Sequence, residues 1–311
     1  MKEEIRHRLL KSGAVAVGFA KAGDISLFER EDYKGWIDAG FHGEMEYLHR
    51  HEELRNHTDS VMPGAKTVIS LAFNYEPEEW LGKDSPYISA YAYGKDYHNA
   101  LREVLRPAIS DFKEQYGGEW RICIDTAPVA ERYWALKSGI GIRGLNCGVI
   151  IEGYGSFIFL AEIMTTLEIP ADSQSERQCS KCGECLRECP TKALQGDGRM
   201  DSRKCINYLT IEKKSELSEE EIGILKKGPG YLAGCDRCLK VCPYNQGKNE
   251  LTKVFTGHNS RLSAFDLRKE IKELRIDDLQ EMGKDEFKKR FKDSPLLYVG
   301  LERLQRNARG L

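Results

Sequence analysis

Nowhere in the 311 residues does an apolar run approach the ~20 residues needed to cross a bilayer as a helix. No sign of charge dominates either. Lys and Arg number 47 against 49 Asp and Glu, a net charge of −2, so the composition exerts no global pull toward nucleic acid or a membrane surface. The N-terminal MKEEIRHRLLKSG has neither the apolar core nor the small-residue cleavage site of a secretory signal, which places the protein in the cytoplasm as an expectation. Low-complexity tracts are missing, and the one recurring pattern is a spacing of cysteines. With 41% hydrophobic and 31% charged residues the mixture is that of a globular protein, at ~150 residues per domain a chain of about two domains.

Cysteine is what the sequence has in excess. Of ten, Cys123 and Cys147 stand alone and eight lie between Cys179 and Cys242. A reducing compartment argues against structural disulfides, so the segment calls for thiolates. Residues 179–190 read CSKCGECLRECP and residues 235–243 read CDRCLKVCP, with Cys205 between them. The first run is the bacterial ferredoxin spacing, in which three close thiolates bind one [4Fe–4S] cube and the fourth binds the other. By that crossover Cys179, Cys182 and Cys185 join Cys242, leaving Cys189, Cys205, Cys235 and Cys238 for the second cube. Two zinc ions on four-cysteine sites are the alternative, but zinc sites usually show two separated CxxC pairs. Two adjacent cubes form a one-electron relay, so the reacting centre belongs in the N-terminal part of the chain.

That part alternates helix-like and strand-like segments. Glu3–Lys11 and Asn99–Tyr116 have helical spacing, while Ala14–Ala20, Thr67–Tyr75 and Arg121–Thr126 read as strands. Pro128 opens a helix over Val129–Ser138, and the two apolar runs of Val149–Leu167, joined by Gly153–Ser156, suggest a hairpin. The expected domains are 1–170, an α+β catalytic domain, then 171–250, the double-cluster domain, and 251–311, a helical segment.

Several weaker signals have two readings. Gly139-x-Gly141-x-x-Gly144 matches a dinucleotide fingerprint but follows a helix and precedes a strand, the reverse of the required order, so a nicotinamide site is rejected. Asp125, which ends the RICID strand ahead of Pro128, either lines a pocket or caps the next helix. His98 is a ligand, an acid or, more often for a lone His, a structural residue. Cys123 alternates with apolar residues and reads as core; Cys147 has no visible partner. From Lys284 onward eight Lys and Arg face four acids, a solvated face or a phosphate contact.

Taken together, HGEMEYLHRHEELR (42–55), PGAKTVISLAFNY (63–75), YGKDYHNALR (93–102), DTAPVAERYWALKSGIGIRGLN (125–146), GSFIFLAEI (155–163), CINYLTIE (205–212), the two cysteine motifs and LQRNA (304–308) resemble the epoxyqueuosine reductases, oxidoreductases that complete queuosine in tRNA. The resemblance implies a nitroreductase-like α+β domain holding cobalamin, followed by a ferredoxin-like domain with two [4Fe–4S] clusters and a short helical C-terminus in place of the family's helical-repeat extension. Asp125 falls on the family's proton donor. Arg55, Ser89, Tyr97, Ile150, Asn207 and Lys213 are the implied cobalamin contacts. Lys288, Lys289, Arg290, Lys292 and Arg306 are the expected tRNA contacts. The implied partners are the anticodon stem-loop of tRNA and an electron donor such as a flavodoxin or ferredoxin, with the enzyme a monomer. Corrinoid reductive dehalogenases, normally exported behind a twin-arginine signal absent here, and a non-catalytic electron carrier are the alternatives. Donation by Asp125 at pH 7 asks for a pKa raised from ~3.9 to ~7, roughly 4 kcal/mol, which burial under an apolar corrin face would supply.

Overall fold

The computed structural model describes residues 1–227, 229–246, 261–309 and 311. Its centre is a four-stranded antiparallel sheet in the order β1 (Ala16–Lys21), β2 (Thr67–Asn74), β7 (Ile158–Thr165), β4 (Trp120–Cys123). The two middle strands, TVISLAFN and IFLAEIMT, are covered on both faces and are accordingly rich in β-branched and large apolar residues. Helix Lys2–Lys11 and helix Tyr97–Tyr116 cover one face. The short helix Glu131–Lys137 packs against β1, β2 and β7 on the other.

Two local expectations are corrected. The runs of Val149–Leu167 do not pair with each other. β6 (Val149–Ile150) pairs with β5 (Ile142–Arg143), and β7 enters the main sheet between β2 and β4. A single bridge, Ile151 to Gly155, closes the turn between them. The second helix begins at Glu131, not at Pro128 or Val129, and no side chain caps it. The loop Ile124–Ala130 is therefore free of the helix. Gly139 ends that helix at φ +76, and a Cβ there would lie 2.1 Å from the Ser173 carbonyl oxygen, so the glycine is required by close backbone approach.

The three sequence segments do not have three separate cores. β3 (Tyr87–Ile88) pairs in parallel with β8 (Tyr231–Ala233), which immediately precedes Cys235. Phe265, Phe287, Phe291, Leu296 and Leu304 of the C-terminal segment share one apolar cluster with Ile5, Phe19, Leu101 and Phe112. The expected boundary at 250/251 lies outside the described residues. No helix among the described residues is long and apolar enough to cross a membrane.

Candidate functional site

The cysteine-rich lobe brings its eight thiols into two groups. Cys179, Cys182, Cys185 and Cys242 line one small pocket with Ile150, Asn146 and Tyr244. Burial first, and then the neighbouring Cys179, Cys185 and Cys182, push the Cys242 thiol up to about 11. In the other group burial raises the Cys235 thiol to about 12, with Cys205 and Cys189 adding to it, and the Cys238 thiol is raised by burial and by Cys205, Cys235 and Cys189. The crossing arises because helix Glu184–Glu188 packs against helix Arg237–Lys240, so each motif delivers its last thiol to the other's group. Four thiols in each group match the four thiolates that a [4Fe–4S] cube takes. The donor set fits clusters.

Cys182 is exposed, whereas Cys185 and Cys242 of the same group are buried, and Cys238 of the other group is close enough to influence buried Tyr75. Cys147, at φ +64 in the turn after Gly144, lies within charge reach of Cys205 and Cys185, and burial raises its thiol to about 11. Cys123 is buried in the sheet as expected for a core residue.

Asp125 lies just past the end of β4. Its φ is +51, a left-handed conformation that costs a non-glycine residue about 1–3 kcal/mol and is held only where surroundings impose it. The holder is Glu131, whose Oε1 accepts the Asp125 backbone N–H at 2.5 Å. This settles the helix-cap reading against Asp125, since its carboxylate points elsewhere. Asp125 Oδ2 accepts the Tyr97 hydroxyl at 3.0 Å and lies 3.1 Å from His98 Nε2. His98 Nδ1 is in turn 3.1 Å from Asp96 Oδ1. Asp96 caps helix Tyr97–Tyr116 by accepting the Asn99 N–H, so helix initiation itself presents Tyr97 and His98 to Asp125. The sequence context of His98 does not single it out as a site residue. The signal that marks it is its place in the first turn behind a capping Asp.

The expected rise at Asp125 belongs to a carboxyl covered by a corrin face; the protein's own groups act in the opposite direction. Burial would raise its carboxyl, but His98, Tyr97 and the more distant Arg55 outweigh burial and hold it below the usual carboxylate range. Burial acts to lower His98, yet Asp125 and Asp96 raise it to about 9. The resting pair is therefore imidazolium and carboxylate. Among the carboxyls that burial does raise are Glu131 and, on β7 opposite Ser70 and Cys123, the fully buried Glu162. Glu162 Oε1 and Oε2 and Ser70 Oγ have no protein partner.

The Asp125 side chain is 57% exposed, yet loss of surrounding water is the largest single influence on it. The same holds for half-buried Tyr91, Tyr97 and Glu212, the last delivered by a wide π-turn over Tyr208–Glu212 and bonded to the Tyr298 hydroxyl at 2.9 Å. Tyr91 and Glu212 lie within charge reach of Asp125, and the Tyr97 hydroxyl is bonded to it, so these groups surround one water-reached acid.

The six expected cobalamin contacts have different immediate neighbours. Arg55 and Tyr97 flank Asp125. Ser89, buried, bonds Asp236, and both Ser89 and Asn207 crowd Gly234, where a Cβ would lie 2.5 Å from the Ser89 Cβ. Ile150 packs with Cys242 and Tyr244, and Lys213 is paired with Glu221 at 2.7 Å. Of the expected tRNA contacts, Lys288, Lys289 and Lys292 are exposed, and Arg290 is half-buried against Asp278. Arg306 is a correction. It is buried, and its guanidinium donates to the carbonyls of Lys213, Ser215 and Leu209 and to Asn307 Oδ1, leaving no donor for a phosphate.

Comparison with known proteins agrees with this layout. Residues 55–126 match the family described as "Epoxyqueuosine reductase QueG, DUF1730", and residues 178–245 match the "4Fe-4S double cluster binding domain". An epoxyqueuosine reductase of Cyclobacterium marinum is 36% identical over 96% of this chain and 94% of its own. Among solved structures, the epoxyqueuosine reductase of Streptococcus thermophilus superposes with a TM-score of 0.84 at 28% identity, covering 99% of this chain and 80% of that one. An epoxyqueuosine reductase bound to a tRNA-Tyr epoxyqueuosine-modified stem loop gives 0.84 at 28% identity, over 99% and 79%.

Proposed function

The chain belongs to the epoxyqueuosine reductase family, and on that premise we propose how its own residues divide the family's reaction. The enzyme reduces epoxyqueuosine in tRNA to queuosine, a change in which an epoxide oxygen leaves as water and an alkene remains. Its cofactors are two [4Fe–4S] clusters and a cobalamin, which supply the two electrons. Cys179, Cys182, Cys185 and Cys242 hold one cluster, and Cys189, Cys205, Cys235 and Cys238 hold the other. The exposure of Cys182 makes the first the entry point for an external donor of the flavodoxin or ferredoxin type.

Asp125 donates the proton to the departing oxygen. What supports this is its strained placement at the strand end, with Tyr97 and His98 on a single carboxylate oxygen of a water-reached side chain, beside the cleft proposed to hold the cofactor. Arg55 and Tyr97 flank the cofactor beside it, and Ser89 and Asn207 border it at Gly234. Glu131 positions the loop.

The tRNA, through its anticodon stem-loop, lies across the cleft mouth against Lys288, Lys289 and Lys292, with Arg290 behind them. The Asp293 carbonyl accepts the Asp96 N–H at 2.6 Å, so this basic stretch adjoins the turn that carries His98. The enzyme works as a monomer in the cytoplasm.

The test is anaerobic preparation with cobalamin followed by turnover of epoxyqueuosine-containing tRNA, read by nucleoside mass spectrometry. About eight irons and eight sulfides per chain, one bound cobalamin and formation of queuosine are expected. Zinc in place of iron, or unchanged nucleoside, overturns the reading.

A further inference from the structure

The reaction's balance poses a question at Asp125. Removing an epoxide oxygen as water takes two electrons and two protons: one C–O bond breaks to leave a hydroxyl, the second breaks to release water, and the electron pair remains as the new π bond. Asp125 is the group placed to hand protons to that oxygen, yet in the resting protein its carboxyl is held below the usual range and carries no proton at neutral pH. A donor that rests ionised must be loaded by a neighbour.

Two side chains stand in line behind it, with a third stacked alongside. His98 Nε2 is 3.1 Å from Asp125 Oδ2, and His98 Nδ1 is 3.1 Å from Asp96 Oδ1, with the Tyr97 ring stacked on the imidazole at a centroid distance of 4.1 Å. A carboxylate on each ring nitrogen fixes the ring plane and stabilises the imidazolium, as a buried Asp orients a His in hydrolases. Asp96 is itself fixed, its carboxylate by the Asn99 N–H and its backbone N–H by the Asp293 carbonyl.

We propose that His98, held by Asp96, is the proton reservoir for this active site and that Asp125 is the conduit from it to the substrate oxygen. The proposal rests on the epoxide-reductase reading above. In the step, the His98 Nε2–H bond breaks as an Asp125 Oδ2–H bond forms. That proton passes to the epoxide oxygen as its C–O bond breaks. His98 is left neutral, its Nδ1–H on Asp96, while the electrons come from the cofactors. Water reaching the cleft recharges His98 at Nε2, and the same route delivers the second proton. His98 acts through Asp125 and does not touch substrate.

Asp96 and Asp125 face the ring directly, and Tyr97 stacks on it while bonding Asp125; Arg55 and Glu131 act on Asp125; Tyr47, Tyr91, Glu212 and Tyr298 lie within its longer reach. The sign follows. A histidine raised to about 9 stays charged through neutrality and loses its proton as pH climbs past that value, so the proton supply fails on the alkaline side.

The experiment compares His98→Gln and Asp96→Asn with the wild-type holoenzyme. Gln keeps a donor toward Asp125 but no transferable proton, so kcat is expected to fall by about 10²-fold or more, with KM for tRNA unchanged and the alkaline limb abolished. Asn keeps the helix cap but removes a charge from His98, so the alkaline limb should move to lower pH. Independently of turnover, the His98 ring resonance in a histidine-labelled NMR titration should titrate near 9 in the wild type and lower in Asp96→Asn. Wild-type kcat and an unmoved alkaline limb in His98→Gln overturn the proposal, and so does a His98 titrating at its ordinary ~6.5. Should His98→Gln lose its clusters, Asp96→Asn and the wild-type titration decide. A wild-type enzyme that makes no queuosine would sink the functional reading while the titration still reports on the pair.

Discussion

Seven of the eight cluster cysteines come from two short stretches, 179–189 and 235–242, whereas Asp125 meets Arg55, Tyr97, His98 and Glu131 from segments scattered between residues 55 and 131. In the lobe, burial dominates and the thiols of Cys185, Cys235, Cys238 and Cys242 all shift upward. In the cleft, burial is also the largest influence on Asp125 and still loses, because an imidazolium and a phenol share one carboxylate oxygen. Glu162, on the same sheet, shows the control: buried without a partner, its carboxyl rises. Depth raises a carboxyl unless its partners outweigh it: Asp236, buried and bonded by Ser89 and the Ala90 N–H, still rises, whereas Asp125 beside His98 does not.

Removing a thiol tests the contiguous side and has the largest effect. Cys205→Ser takes away the one cluster ligand outside both motifs. It should remove a single cluster, dropping iron from about eight to about four per chain, and abolish turnover. Retention of all iron would break the partition into two groups. Asp125→Asn comes next. With no transferable proton, turnover should fall by about 10²–10⁴-fold while clusters and cobalamin are retained, measured as single-turnover queuosine formation; near-normal turnover would move the donor elsewhere.

Glu131 separates holding from proton chemistry. Glu131→Gln keeps an acceptor for the Asp125 N–H and should stay within a few-fold of wild type, whereas Glu131→Ala releases the loop and should cost about tenfold, roughly one hydrogen bond's worth of positioning. Equal activity of the two variants would show that Glu131 does not hold the loop. The smallest effect is expected at the surface. Neutralising Lys288, Lys289 and Lys292 together should weaken tRNA binding and lower the slope of log K against log salt by a little under one for each phosphate no longer neutralised. An unchanged slope across a salt titration would place the tRNA elsewhere. Phe287 and Phe291 pack in the core beneath these lysines, with ring centroids 5.1 Å apart, so the fold should survive the change.

Much of the fold was legible because its elements are locally encoded. The apolar, β-branched TVISLAFNY could only be a covered strand, and Asn99–Tyr116 kept helical spacing up to a glycine pair. The Val149–Leu167 hairpin was not legible, since a turn such as Gly153–Ser156 is compatible with strands that stay together or part into different sheets. Only the partners available to β7, namely β2 and β4, decide between them. Arg306 failed as a tRNA contact for a related reason: a basic residue in a basic tail reads as surface until the carbonyls at the end of the Tyr208–Glu212 turn are seen to take up its donors.

The sequence by itself determined the cluster chemistry of this protein, because ligand spacing within one turn of chain is a short-range property that a few residues specify. It also marked Asp125 and the family to which the chain belongs. The tertiary structure alone decided how Asp125 is protonated, since its pKa is the resultant of burial against His98, Tyr97 and Arg55, groups that lie far from it in sequence. Coulomb and hydrogen-bond energies depend on distance in space and on the solvent excluded between the groups. Neither is written in the order of residues until the strand and the helix bring Tyr97 and His98 within 3.1 Å of it.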